Sequence, residues 1–184
     1  FVLWNQTADK LAARFWPGPL TLVLPRSPGS PISLLATAGL DTVAIRAPSH
    51  PVAQALIRAA GRPIAAPSAN RSGGVSPTRA SHVLATLDGR IALMIDDGPT
   101  TAGVESTIAR VNEGAVEVLR PGPVTAAMLG EAAGLPVTGV EGSEIVAPGM
   151  LASHYAPGKP VTLDLEAAEA LGVGEGASVR LVAV

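Results

Sequence analysis

Glycine and proline occupy 20 and 17 of the 184 positions, and that density constrains the fold more than any other feature of the chain. Proline locks φ and removes a ladder donor, while glycine loosens the backbone. Helices and strands between them must be short and joined by many turns. Hydrophobic residues still make up 47% of the chain against 15% charged. That is ample for a packed core and argues against wholesale disorder. The length allows one ordinary domain and part of a second, at roughly 100–200 residues per domain.

Composition removes several function classes. The absence of cysteine excludes disulfides, thiolate zinc sites, iron–sulfur clusters and a cysteine nucleophile, and fits a reducing compartment. Aromatics at 3% cannot build a stacking platform for RNA bases. No apolar run reaches the ~18 residues that a spanning helix needs, so a soluble, cytoplasmic protein with no membrane partner is expected. The chain opens at Phe1 as if within a strand and stops after the apolar run Val179, Arg180, Leu181, Val182, Ala183 and Val184; a fragment of a longer protein is expected. Residues 1–95 carry a net +6 and residues 96–184 a net −8. An arginine-dominated cationic half suits a polyanionic ligand such as a nucleotide, although a solvated surface accounts for it equally.

Periodicity places the elements. Ala8, Leu11, Ala12 and Phe15 predict a helix over 7–16 that exits before Pro17. Residues 20–24 and 41–46 read as strands, the second carrying Thr42, Ala44 and Arg46 on one face. Pro51 at a helix N1 position, the stripe Val52, Ala55, Leu56 and Ala59, and Gly61 as stop define a second helix. Residues 63–66 are expected as a buried strand running into a polar loop, after which Thr78 caps a helix striped by Ala80, Val83, Leu84 and Leu87. Residues 91–95 are expected as a core strand. Strands over 106–111 and 115–119, turning at Asn112, Glu113 and Gly114, precede a helix over 125–133. The expected organisation is a mixed α/β domain over 1–135, a linker over 136–160 and the start of another domain over 161–184.

Three stretches could carry chemistry. Residues 66–78 hold Ser68, Asn70, Ser72 and Ser76 with Gly73 and Gly74, between a strand and a helix start. Small hydroxyls and free amides there can cradle an anion, but an ordinary capped loop has the same composition. No Gly-Lys-Ser/Thr closes it, so it is not a Walker loop. Residues 103–108 place Ser106 and Thr107 at a strand start; Glu105 is unsuited as the base of a serine nucleophile, and the three histidines sit in no triad-like pattern. Arg46 and Arg120 each stand at a strand end before a rigid turn, where a guanidinium can fork onto a phosphate or carboxylate. Asp96 and Asp97 form a lone acidic pair, so no metal held by protein side chains and no catalytic nucleophile is expected.

The series Phe15-Trp16-Pro17-Gly18-Pro19-Leu20-Thr21-Leu22-Val23, Val43-Ala44-Ile45-Arg46-Ala47-Pro48, Pro67-Ser68-Ala69-Asn70 with Ser72-Gly73 and Ser76-Pro77-Thr78, Gly103-Val104-Glu105-Ser106-Thr107-Ile108, and Leu119-Arg120-Pro121-Gly122 resembles the threonylcarbamoyl-AMP synthase family in order and spacing. The segment Ala147-Pro148-Gly149-Met150 with His154-Tyr155-Ala156-Pro157 resembles the interdomain linker of its two-domain form. The resemblance implies an α/β (α+β) fold: a YrdC-like twisted mixed sheet with flanking helices, then a linker and the start of a small Rossmann-like domain. It implies a nucleotidyltransferase that makes L-threonylcarbamoyladenylate and pyrophosphate from L-threonine, bicarbonate and ATP. Magnesium comes with the ATP, and the product passes to the machinery that builds N6-threonylcarbamoyladenosine in tRNA, with a contact to tRNA itself also implied.

By position, the resemblance implies ATP contacts at Thr42, Ser68, Ser76, Arg120 and Tyr155. It implies a threonine pocket lined by Arg46, Ala66 and Ser106. The chain departs from the family in lacking its N-terminal portion, which includes a Lys/Arg-bearing phosphate motif, and in having Leu151, Ala152 and Ser153 where some relatives carry basic residues. A fragment of this kind is expected to be crippled alone. Two alternatives stand beside it: a maturation protein that forms carbamoyl-adenylate, and a noncatalytic RNA- or nucleotide-binding module using the cationic half.

Overall fold

The computed structural model describes residues 1–139. In chain order the elements are α1 (Gln6–Phe15), β1 (Leu20–Pro25), β2 (Thr42–Ile45), α2 (Pro51–Ala60), α3 (Ala80–Leu87), β3 (Thr107–Asn112), β4 (Ala115–Arg120), α4 (Ala126–Ala133) and β5 (Val137–Gly139). The strands form one mixed sheet in the order β2-β1-β3-β4-β5. The pairings alternate: β1 is antiparallel to β2 and parallel to β3, while β4 is antiparallel to β3 and parallel to β5. The mixed α/β expectation therefore holds. The expected linker and second domain fall outside the described residues, apart from β5 at the beginning of the 136–160 segment.

One face of the sheet is the core. Strand alternation sends Leu20, Leu22 and Leu24 to it, where they meet Ala109, Val111 and Val116 from the neighbouring strands. Helix α1 lays Ala8, Leu11 and Phe15 on this face, and α4 adds Leu129 and Ala133. Each fully buried leucine contributes about 1.5–3 kcal/mol. Asn5 caps α1 by accepting from Ala8 N at 2.9 Å, and Thr125 caps α4 by accepting from Met128 N at 3.3 Å. Lys10 Nζ donates to the Ala133 carbonyl at 3.1 Å, joining the two helices at the C-terminus of α4, where a cation is favourable.

Among the described residues the opposite face carries a small cluster, Val23, Ile108 and Leu119. A register shift shapes it. Ala109 pairs with Val118, but Ile108 pairs with Arg120, so Leu119 is the extra residue of a β-bulge. Residues opposite one another point to the same side. The bulge thus sends Arg120 to the face of Ile108 rather than into the helix-covered core. Below it the register is pinned by Arg110, whose Nε and Nη2 lie 2.8 and 2.7 Å from Oε2 of the cross-strand partner Glu117.

The middle of the chain departs from expectation. Residues 63–66 and 91–95 form no strand, and Ile64 and Leu93 are 42% and 79% exposed. Their apolar, β-prone composition is suited to a sheet, but a strand needs a neighbour to pair its amides, and no described segment lies alongside. Helices α2 and α3 form where periodicity puts them, α2 ending at Gly61 in the left-handed region at φ 62°, yet neither buries a residue among those described. Thr78 does not cap α3. The N-cap is Arg79, without a side-chain bond, and Thr78 instead engages His82 Nδ1 through its amide and hydroxyl at 3.4 Å.

Thr107 is fully buried, and its hydroxyl both donates to the Val124 carbonyl at 2.7 Å and accepts from Val124 N at 3.0 Å. Thr107→Val keeps the shape but strands both backbone groups in the interior. A loss of about 2–4 kcal/mol is expected in urea unfolding; an unchanged midpoint would show that Val124 finds other partners.

Candidate functional site

Two strand-end arginines meet on the uncovered face. Arg46 follows β2, and its Nε donates to the Gly18 carbonyl at 2.9 Å, while Gly18 N donates to the Ala47 carbonyl at 2.8 Å. The Phe-Trp-Pro-Gly-Pro turn, whose Trp16–Pro17 peptide is cis, thereby fixes the stem of the arginine. Only glycine fits at position 18, because a Cβ there would lie 2.2 Å from the Phe15 carbonyl oxygen. Nη1 and Nη2 of Arg46 hydrogen bond to no described residue.

Arg120 is held more tightly. Its Nε and Nη2 donate to the Ser106 carbonyl at 3.1 and 2.9 Å, and Nη2 also reaches Ser106 Oγ at 3.1 Å. Ser106 Oγ in turn shares a hydrogen bond of 2.9 Å with Thr21 Oγ1 on β1. The parallel β1–β3 pairing, with Leu20 opposite Thr107, brings these two hydroxyls together from positions 85 residues apart.

Glu105 links this group to the polar loop. Its Oε2 lies 3.7 Å from Arg120 Nη2, and its Oε1 accepts a short hydrogen bond from Ser76 Oγ. Burial lowers the Arg46 pKa from its ordinary value, Glu105 works against that shift, and Arg120 adds to it. The two guanidinium groups therefore feel one another's field, and both feel the Glu105 carboxylate. Arginine stays cationic through such a shift, so the arrangement offers standing positive charge to a carboxylate or phosphate.

Ser68 and Ser76 line a cleft of about 710 Å³ together with Thr78, Asp97 and Glu105. Asn70 closes the loop upon itself, its Nδ2 donating to the carbonyls of Arg71 at 2.8 Å and Gly74 at 3.1 Å. Ala66 is exposed in the segment just before the cleft lining. Thr42 lies at the far end of β2 from Arg46, about 13 Å along the strand on the same face. Tyr155 lies outside the described residues. The structure thus brings together Arg46, Ser106 and Arg120, and ties Ser76 to them through Glu105. No hydrogen bond or ion pair among the described residues joins Thr42, Ser68 or Ala66 to that group.

Sequence reasoning weighed Glu105 only as the base of a serine nucleophile, and gave no role to Thr21 or to the carbonyl of Gly18. The spacing of Glu105 directly before Ser106 at a strand start was visible, but its partners come from distant segments. Gly122 is a second enforced glycine: a Cβ would lie 2.4 Å from Thr107 N and 2.6 Å from the Glu105 carbonyl oxygen. Gly122→Ala is expected to push the turn after Arg120 off β3 and cost several kcal/mol in denaturant unfolding. Gly139→Ala, where nothing lies within 4 Å, is the matched control expected to change little.

The family profile Sua5_yciO_yrdC, described as telomere recombination, matches residues 2–122. The threonylcarbamoyl-AMP synthase of Bacillus subtilis strain 168 is 48% identical over 163 residues, covering 86% of this chain and 46% of that protein. The protein of the same name from Pyrococcus abyssi is 48% identical over 161 residues, covering 85% of this chain and 47% of its own. Among solved structures, P. abyssi Sua5 complexed with L-threonine superposes with a TM-score of 0.78 at 45% identity, covering 86% of this chain and 48% of that one. The chain spans about half the length of these relatives. Strands β1 to β4, the enforced glycines and the paired arginines lie within residues 2–122, and the chain belongs to the Sua5/YciO/YrdC family.

Proposed function

We propose that this chain carries part of an L-threonylcarbamoyladenylate synthase, joining L-threonine, bicarbonate and ATP with release of pyrophosphate. The observation that carries this reading is the pair of guanidinium groups, Arg46 and Arg120, gathered on one sheet face around the Ser106 hydroxyl. The relatives named threonylcarbamoyl-AMP synthase and the structural neighbour that binds L-threonine support it.

In this reading Arg46 forks its two free nitrogens onto the threonine carboxylate, and Ser106 with the backbone near Ala66 completes the amino-acid pocket. The amine and bicarbonate condense to a carbamate with loss of water. A carbamate oxygen then attacks the α-phosphorus of ATP, and the bond to the β-phosphate oxygen breaks as pyrophosphate leaves. Thr42, Ser68, Ser76, Arg120 and Tyr155 are assigned to the nucleotide, which enters as its magnesium complex. Catalysis is positioning and charge neutralisation, with no protein nucleophile.

The same proposal divides the protein into a catalytic domain over 1–135, a linker over 136–160 and a further domain from 161. It places the protein in the cytoplasm, delivering its product to the tRNA threonylcarbamoyl-transfer machinery and contacting tRNA there. No described helix is long and apolar enough to cross a membrane.

In the full-length protein, pyrophosphate release from ATP is expected to require both L-threonine and bicarbonate, and release indifferent to both would sink the reading. Arg46→Ala is expected to weaken L-threonine binding by about 10–100-fold in titration calorimetry, the worth of a charge-assisted pair. Unchanged affinity would remove Arg46 from the amino-acid pocket.

A further inference from the structure

Resting on the adenylate-forming reading above, we propose that Glu105 is a positioning residue that sets the hydrogen-bond polarity of Ser76, so that Ser76 receives a donor group of the nucleotide and not a phosphate oxygen. A carboxylate has no proton to give. The hydrogen bond between Ser76 Oγ and Glu105 Oε1 must therefore use the serine's single proton. What Ser76 still offers to the cleft is lone pairs, and a lone pair repels a phosphate oxygen while accepting from an O–H or N–H.

The setting of Glu105 points the same way. Its second oxygen lies 3.7 Å from Arg120 Nη2, and Arg120 is anchored on Ser106 by both Nε and Nη2. The carboxylate is thus fixed between an anchored cation and the loop hydroxyl. It also lines the cleft beside Ser76, where its negative charge disfavours the triphosphate and favours a hydroxyl-rich or amine-bearing part of the ligand. Phosphate oxygens are left to the arginine side of the site. The donor that Ser76 accepts from is a ribose hydroxyl or the exocyclic amine of adenine; both are neutral N–H or O–H groups and meet the same lone pairs.

The test is equilibrium binding of ATP, 2′-deoxy-ATP, 3′-deoxy-ATP, inosine triphosphate and inorganic tripolyphosphate to the full-length protein, unsubstituted and with Ser76→Ala, Glu105→Ala or Glu105→Gln. In the unsubstituted protein one of the three nucleotide analogues is expected to bind about 5–10-fold more weakly than ATP, the worth of one neutral hydrogen bond. A deoxy analogue identifies the ribose, and inosine triphosphate identifies the amine. Ser76→Ala and Glu105→Ala are each expected to erase that discrimination, while Glu105→Gln, whose amide carbonyl still accepts from Ser76, restores part of it. Tripolyphosphate and L-threonine affinity are expected not to fall in any variant, a split that a general loss of structure would not produce. Tripolyphosphate weakened as much as ATP by Ser76→Ala would put the hydroxyl on phosphate and overturn the proposal. Discrimination surviving in Glu105→Ala would remove Glu105 from the role. ATP and all three analogues binding alike to the unsubstituted protein would overturn the inference alone; no nucleotide binding at all would overturn the proposed function with it.

Discussion

The parallel pairing of β1 with β3 is the contact on which the rest depends. It joins segments separated by most of the described chain, so its loop-closure entropy is large and must be offset by burial on the helix-covered face. Once Leu20 stands opposite Thr107, the remaining geometry follows. The turn ahead of β1 holds Arg46 through a carbonyl, and the start of β3 holds Arg120 through another. The turn after β4 is seated against the same backbone because residue 122 has no side chain. Core and site are two sides of one pairing, and a slip of a single residue would exchange them.

Gathering two guanidinium groups costs Coulomb energy, and the fold meets that cost in a specific manner. Arg46 is tethered to one main-chain carbonyl and Arg120 to another, with Glu105 beside Arg120. Carbonyl tethers fix direction while leaving most of the charge available to a ligand. The nearby Glu105 carboxylate is held partly by a serine hydroxyl, which divides its attention. A site built this way is rigid and electropositive before anything binds, the condition under which charge stabilisation needs little reorganisation.

How much of this was legible in the sequence depended on how local the cause was. Helix α1 was readable because Ala8, Leu11 and Phe15 repeat at the helical period and Pro17 ends the run. A short helix was expected over 125–133, and α4 forms at Ala126–Ala133. Arg46, Ser106 and Arg120 were picked out from strand-end settings and from a resemblance in spacing, and the structure places them together. Residues 63–66 and 91–95 misled because composition records a preference for sheet, whereas a strand also requires a partner that no local pattern supplies. The bulge at Leu119 was invisible for a related reason: an extra residue exists only relative to the strand opposite. Glu105 carries its meaning entirely in contacts with residues 29 and 15 positions away.

The uncovered helices α2 and α3 have a thermodynamic consequence. Among the described residues the stretch from 51 to 100 buries no side chain, so within this chain it lacks the hydrophobic term that makes folding cooperative and is of lower local stability than the sheet. Among the described residues the hydrogen bond from Ser76 to Glu105 joins that stretch to the start of β3. A ligand that touches both the cleft serines and the sheet arginines sits across that seam. Part of its binding free energy then goes into holding the two units in register, and ligand occupancy takes over a task that a hydrophobic core performs elsewhere in the molecule.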